Sequence, residues 1–204
     1  MTERIDDLGD GFRLIQNPSR FCFGTDAVLL AAFCNVKRND RVLDLGTGNG
    51  ILPVLVYAGN ADKGIKINGL EIQSEDAELA RRNTALNGLE DAVVIDEGDI
   101  KDVRNIYEHG SFNVVVSNPP YFINGDSIER NETLCTLNDV VKAAAWALKF
   151  GGRFYMIHRT ERLCDVVCCC RGHGVEVKKI HFKSDLMLVY AKKGSASGVS
   201  VKHG

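Results

Sequence analysis

The 204-residue chain has no apolar run near the roughly 20 residues that cross a bilayer. Its opening stretch, MTERIDDLGDG, is polar and acidic, unlike a secretory leader. These absences point to a cytoplasmic protein with no membrane partner. Repeated CxxC spacing is missing too. The seven cysteines are Cys22, Cys34, Cys135, Cys164, Cys168, Cys169 and Cys170. Cys164 and Cys168 are one helical turn apart with His173 nearby, but structural zinc ordinarily uses two ligand pairs and the second pair is lacking. The expected state is reduced thiols packing as small hydrophobes, with no metal. Positive charge is not in excess: 25 Lys and Arg face 27 Asp and Glu, for a net charge of −2. That argues against a dedicated non-specific nucleic-acid binder, which is basic overall, while leaving room for a local basic patch. There is no internal repeat, no GK[ST] phosphate loop and no GxGxxG dinucleotide signature.

What is present is an alternation of β-branched runs and helical patterns. Residues 41–46 (RVLDLG), 64–72, 91–99, 112–118 and 153–159 read as strands, followed by VEVKKIHF and LMLVYAKK. Between them, residues 51–59, 74–88 and 136–152 and a segment through Cys170 read as helices. Ser74 is a candidate cap with Gly88 as a stop signal, and Asn138 is a candidate cap for the third helix. Interleaving of this kind implies a mostly parallel sheet with helices on both faces. The short link between the last two strands makes the last one antiparallel. Upstream, residues 12–24 look like a small β-ribbon and 25–34 like a helix capped by Thr25 or Asp26. The expected division is 1–35 as ribbon and capping helix, 36–194 as the α/β domain, and 195–204 as a Gly/Ser-rich tail, either flexible or a weak edge of the sheet.

Chemistry concentrates where strands end. DLGTGNG (44–50) follows the first strand with glycines at every second position, so its backbone can turn sharply and approach a ligand. Glu71 closes the second strand, where a carboxylate can accept hydrogen bonds from both hydroxyls of a ribose. The plainer alternative for Glu71 is a solvated strand-end acid. Asp99 ends the third strand, facing an adenine edge or merely capping a helix. For this half alone, an NAD-linked dehydrogenase is the competing reading.

The fourth strand ends in SNPPYF (117–122). Pro119 and Pro120 stiffen the loop and supply no N–H, and Asn118 is restricted because it precedes a proline. The Asn118 side-chain oxygen, with a neighbouring carbonyl, can accept both hydrogens of a planar –NH2, and Tyr121 offers a face for stacking. The plainer alternative is a rigid turn.

DxGxGxG, the strand-end Glu and Asp, and NPPY together resemble the class I S-adenosylmethionine-dependent methyltransferases of amino groups, which have a Rossmann-like seven-stranded sheet. The resemblance implies that Gly46, Gly48 and Gly50 lie against the cofactor's amino-acid end with Asp44 steadying the loop. It implies Glu71 on the ribose, Asp99 near the adenine, and Asn118, Pro119, Pro120 and Tyr121 as the catalytic loop, with Asn118 also touching the cofactor. Candidate acceptors are adenine N6 in DNA or RNA, guanine N2 in ribosomal RNA, and glutamine N5 in a protein. LIQNPSRFCFGTDAVLLAAF (14–33) is similar to the opening segment of the bacterial tRNA1(Val) adenine-N6 methyltransferases, which modify the adenosine beside the anticodon. It implies that Gly24, Thr25 and Asp26 close the cofactor pocket, and that a monomer acts on tRNA. Tyr121 and Phe122 would stack the base. Arg130, Arg20, Arg159 and Lys183 are candidate phosphate contacts, with solvated surface charge as the plainer alternative for each. About 40 residues precede the first strand, too few for the extra domain of a glutamine enzyme. No target-recognition domain of a DNA enzyme is seen. The stretch after NPPYF, INGDSIERNETLC, is shorter than the basic arm of relatives.

Overall fold

The computed structural model describes residues 3–18, 24–119 and 135–203. Its centre is a sheet of eight strands. They are β3 (Arg41–Leu45), β4 (Lys66–Glu71), β5 (Val93–Glu97), β6 (Phe112–Ser117), β7 (Leu148–Arg159), β8 (Val175–Lys183), β9 (Leu186–Lys193) and β10 (Ser200–His203), in the spatial order β10-β8-β9-β7-β6-β3-β4-β5. β9 alone runs against its neighbours, β7 and β8. A hairpin of β1 (Arg4–Gly9) and β2 (Phe12–Gln16) stands outside this sheet.

Strands buried on both faces read as unbroken apolar runs, and β3 and β6 do so because helices cover both sides. On one face, Val42, Val114, Val116 and Ile157 pack with Leu30 of α1 (Thr25–Phe33), Ile51 and Val54 of α2 (Ile51–Ala58), Ala77 and Ala80 of α3 (Ser74–Leu86), and Leu14 of β2. On the other, Leu43, Leu45, Val115 and Phe154 pack with Val103 of α4 (Val103–Ile106), Val140 and Ala144 of α5 (Leu137–Ala147), and Val166 and Cys170 of α6 (Leu163–Gly172).

Several local details depart from the sequence expectation. The sheet has eight strands rather than seven, because residues 200–203 pair in parallel with β8, whose outer edge would otherwise be open. Of the two readings of that stretch, a flexible tail or a weak edge, the pairing matches the edge. The ribbon lies earlier than residues 12–24. Asp10 and Gly11 take left-handed φ values of 52° and 83°, which closes a tight hairpin between Gly9 and Phe12. Gly24, rather than Thr25 or Asp26, caps α1, and Gln73 rather than Ser74 caps α3. Ser74 instead donates to Glu97 at 2.5 Å. Gly88 does end its helix, in the left-handed region at φ 64°.

For α5 the cap is Thr136, not Asn138. The Thr136 hydroxyl accepts from the Asp139 amide at 3.2 Å, and Asp139 accepts from the Thr136 amide at 3.0 Å, forming a capping box. Asn138 instead bonds the His173 ring at 2.8 Å. α5 stops at Ala147, where β7 begins, before the glycine pair. Cys164 and Cys168 are both exposed on α6. Among the described residues, no three His, Cys, Asp or Glu side chains gather at one point. No described helix is long and apolar enough to cross a membrane.

Thr136→Ala removes one partner of the capping box. It should lower the unfolding free energy by about 1 kcal/mol, read as a shift of the urea midpoint without a change in slope.

Candidate functional site

Parallel strands β3, β4, β5 and β6 all end on one edge, so their terminal residues meet there. The loop after β3 hooks over β4. The amides of Gly46 and Thr47 donate to the Leu70 carbonyl at 2.9 and 3.0 Å. Gly46, Gly48 and Gly50 have φ values of 76°, 54° and 82°, a region that favours glycine. Gly50 has a second reason to lack a side chain: a Cβ there would sit 3.1 Å from Ala80 Cβ on α3. No other residue lets α2 start this close to α3.

Glu71, the last residue of β4, is buried at 6% exposure. Its carboxylate accepts from the Gly48 amide at 2.9 Å and from the Gln73 amide at 3.0 Å. Burial pushes its pKa up, and those backbone donors pull it back. Glu71 is therefore no solvated strand-end acid. It clamps the glycine loop, and its remaining lone pairs are available to a ligand.

Asp44 is fully buried in β3, on the sheet face covered by α1 and α2. Burial raises its pKa to about 7, while the Thr47 hydroxyl pulls the other way and the Glu71 charge adds to the rise. Among the described residues, neither Asp44 oxygen has a well-formed hydrogen bond, nor do the Thr47 hydroxyl, Asn49 Nδ2 or Asn118 Oδ1. A buried polar atom without a partner is costly and calls for an explanation. Most of these atoms cluster on one loop and the adjoining strand ends.

Asn118 follows β6, which pairs with β3 so that Val116 lies opposite Asp44. The Ser117 hydroxyl donates to the Leu45 carbonyl at 2.8 Å, which ties the end of β6 to the start of the glycine loop. Asn118 is half-buried and Pro119 buried. Pro120, Tyr121, Phe122 and Arg130, with Arg20, lie outside the described residues. The Asp99 side chain caps the turn after β5 by accepting from the Lys101 amide at 2.8 Å, which leaves its other lone pairs free for a ligand. That turn carries Ile100 to within 3.9 Å of where a Gly46 Cβ would be. Gly24, Thr25 and Asp26 lie at the start of α1, which packs on α2.

Two residues that sequence reasoning missed hold the ribbon onto this edge. Asn83, fully buried on α3, accepts from the Ile15 amide at 2.6 Å and donates to the Ile15 carbonyl at 3.0 Å and the Asn49 carbonyl at 2.9 Å. One turn on, Asn87 accepts from the Arg13 amide and donates to its carbonyl, each at 2.8 Å. The available signal was two amides four residues apart, one inside α3, where a polar side chain is disfavoured unless it has partners, and one at the helix's C-terminal cap.

A glycine loop, a strand-end carboxylate and orphaned acceptors on one sheet edge define an α/β protein that binds a small ligand outside the carboxyl ends of its strands. Residues 19–167 match the family described as Methyltransferase small domain, and the chain belongs to that family. Curated relatives include a tRNA1(Val) (adenine(37)-N6)-methyltransferase of Aeromonas hydrophila, 36% identical over 51% of this chain and 42% of that protein. One of the same name from Bacteroides thetaiotaomicron is 32% identical over 68% of this chain and 60% of that protein. The chain thus spans about half the length of the curated relatives it matches. Among solved structures, a protein described as a predicted O-methyltransferase from Agrobacterium tumefaciens superposes with a TM-score of 0.70 at 24% identity, covering 87% of this chain and 85% of that one. TrmN from Thermus thermophilus gives 0.63 at 16% identity, covering 82% and 48%. Both likenesses concern the fold.

Asp44 titrates near 3.8 when unfolded and near 7 when folded. Between those values the folded chain holds a proton that the unfolded chain has released, so stability falls as pH rises through this window. In the ligand-free protein, Asp44→Asn should therefore raise the melting temperature at pH 8 by a few °C. The gap should narrow as pH drops toward 5. A gap that is independent of pH would contradict the raised pKa of the buried carboxylate.

Proposed function

We propose that the chain transfers a methyl group from S-adenosylmethionine to an adenine N6 amine in RNA, the favoured substrate being tRNA1(Val) at the adenosine beside the anticodon. The observation that carries the methyl-transfer reading is the set of buried polar atoms without well-formed hydrogen bonds around a left-handed glycine loop. The donor-rich amino-acid end and ribose of the cofactor fit that set. Asp44 and the Thr47 hydroxyl would meet the charged amino-acid end, and Gly46, Gly48 and Gly50 would admit its close approach. Glu71 would accept from the ribose hydroxyls, Asp99 would lie by the adenine, and Gly24, Thr25 and Asp26 would close the pocket. When bound, the cofactor supplies an electrophilic methyl group on a sulfonium centre.

The chain's own part is positioning and electrostatics. An exocyclic amine is a weak nucleophile because its lone pair is delocalised into the ring. Asn118 Oδ1, an acceptor with no described partner, takes a hydrogen bond from the amine. A carbonyl of Asn118 or Pro119 takes the second. Both bonds concentrate electron density on the nitrogen. The proton leaves to water once the N–C bond has formed, so no strong base is needed. On the sequence pattern, Pro120 stiffens the loop, Tyr121 and Phe122 stack the splayed-out base, and Arg130 contacts phosphate. The names of the curated relatives support tRNA as substrate.

The test is transfer of radiolabelled methyl to separated RNA, DNA and protein, followed by nucleoside analysis. Label in N6-methyladenosine of unmodified tRNA1(Val) is the expected result; label only in DNA or protein would overturn the substrate. Asn118→Ala should lower turnover at least about a hundredfold while S-adenosylhomocysteine still binds. Normal turnover would remove Asn118 from the mechanism.

A further inference from the structure

The outer strands carry a feature that the cofactor edge does not use. Lys179, His181 and Lys183 alternate along β8 and therefore share one face. Lys202 on β10 is in register with His181 and joins them. Their cross-strand neighbours on β9 are Tyr190, Leu188 and Leu186, whose partners on β7 are Tyr155, Ile157 and Arg159. This is the face that α1 covers. Helix α1 lies over β7 and β9, and its last residue, Phe33, reaches only as far as the Lys179 ammonium, 5.3 Å from the ring centre, and the His181 ring at 6.4 Å. The opposite face of β8 is packed under α6.

The cationic groups are close enough to repel one another. His181 is held below its ordinary pKa first by desolvation and then by Lys183, Lys179 and Lys202. No ion pair with an acid among the described residues neutralises these three lysines. The nearest acids along the chain are already engaged: Glu176 with Arg171 at 2.6 Å and Asp185 with Arg159 at 2.5 Å. A chain whose net charge is −2 thus gathers an unneutralised, aromatic-flanked column on one outer face.

The column is also oriented toward the site. β8 and β7 both run against β9, and β7 runs with β6, so Lys183 ends at the edge that carries Asn118. Three strand spacings, roughly 14 Å, separate β6 from β8. An RNA whose target base sits at Asn118 would run its backbone across this face.

We infer that Lys179, Lys183 and Lys202 form a phosphate-docking surface that holds the RNA backbone while a base is presented at the edge of β6. It rests on the RNA reading above. It adds which surface grips the RNA. The contacts fix register rather than sequence, since phosphate contacts position and base contacts specify.

The test is direct binding of a tRNA transcript by the full chain across a salt series, compared with Lys183→Glu/Lys202→Glu. Both side chains lie at the edge of the column, and melting temperature and S-adenosylhomocysteine affinity should match wild type. The variant should bind tRNA at least about tenfold more weakly, with a salt slope shallower by about one to two units. Lys183→Arg/Lys202→Arg should retain both affinity and slope. Equal tRNA binding by the Glu variant and wild type would overturn the surface assignment, as would a loss seen only with anionic vesicles. Because the readout is binding, it stands apart from the methyl-transfer test. Wild type that labels RNA while the Glu variant binds tRNA normally would sink the surface alone; wild type that labels no RNA would sink the substrate reading.

Discussion

The hydrogen bond from the Gly48 amide to the Glu71 carboxylate holds the site together. A loop with three left-handed glycines has little conformational preference of its own. Glu71 fixes its middle at 2.9 Å, and the Leu70 carbonyl fixes its start through the amides of Gly46 and Thr47. The end of β4 thereby sets the loop after β3. From there the constraint spreads. Gly50, lacking a Cβ, lets α2 begin against Ala80 of α3. Asn83 on α3 then reaches the Asn49 carbonyl and the Ile15 backbone, which seats the ribbon over the same edge.

Much of the central architecture was legible because its signals are local. The apolar runs of β3 and β6, the stop at Gly88 and the glycine spacing each report a property of a few consecutive residues. Glu71 was legible by position, but its contact with Gly48 was not, because that contact joins residues 23 apart in sequence. Asp99 shows the limit differently: its strand-end place was readable, and its cap on Lys101 was one of two readings that the residue type allowed. The Ser200–His203 strand was readable only as one of two options because all four residues are exposed and its order comes from backbone pairing with β8 rather than from an apolar face. The cap at Thr136 lost to Asn138 in the sequence reading, although Asp139 three residues on completes the box. Of the acceptor loop, Asn118 and Pro119 fall among the described residues.

Charge is distributed in a way that the near-neutral total conceals. Asp44 and Glu71 are buried at the sheet edge, where desolvation keeps both carboxyls above their ordinary pKa. Such a site favours a ligand that brings positive charge and donors. The lysine column of β8 and β10 lies several strands away, and among the described residues no acid forms an ion pair with it. On the proposals above, separating the two would let a cationic small molecule and a polyanion bind one sheet without competing for the same groups.

The central claim is that the orphaned acceptors around Asp44 and the Glu71-held loop are a cofactor site. Titration calorimetry of the chain with S-adenosylhomocysteine, run near pH 6 in buffers of different ionisation enthalpy, tests it most directly. One-to-one binding with net proton release is predicted, because a cationic group on Asp44 lowers a pKa that stands at about 7 in the free protein. Absence of binding, or binding without proton release, would contradict the account.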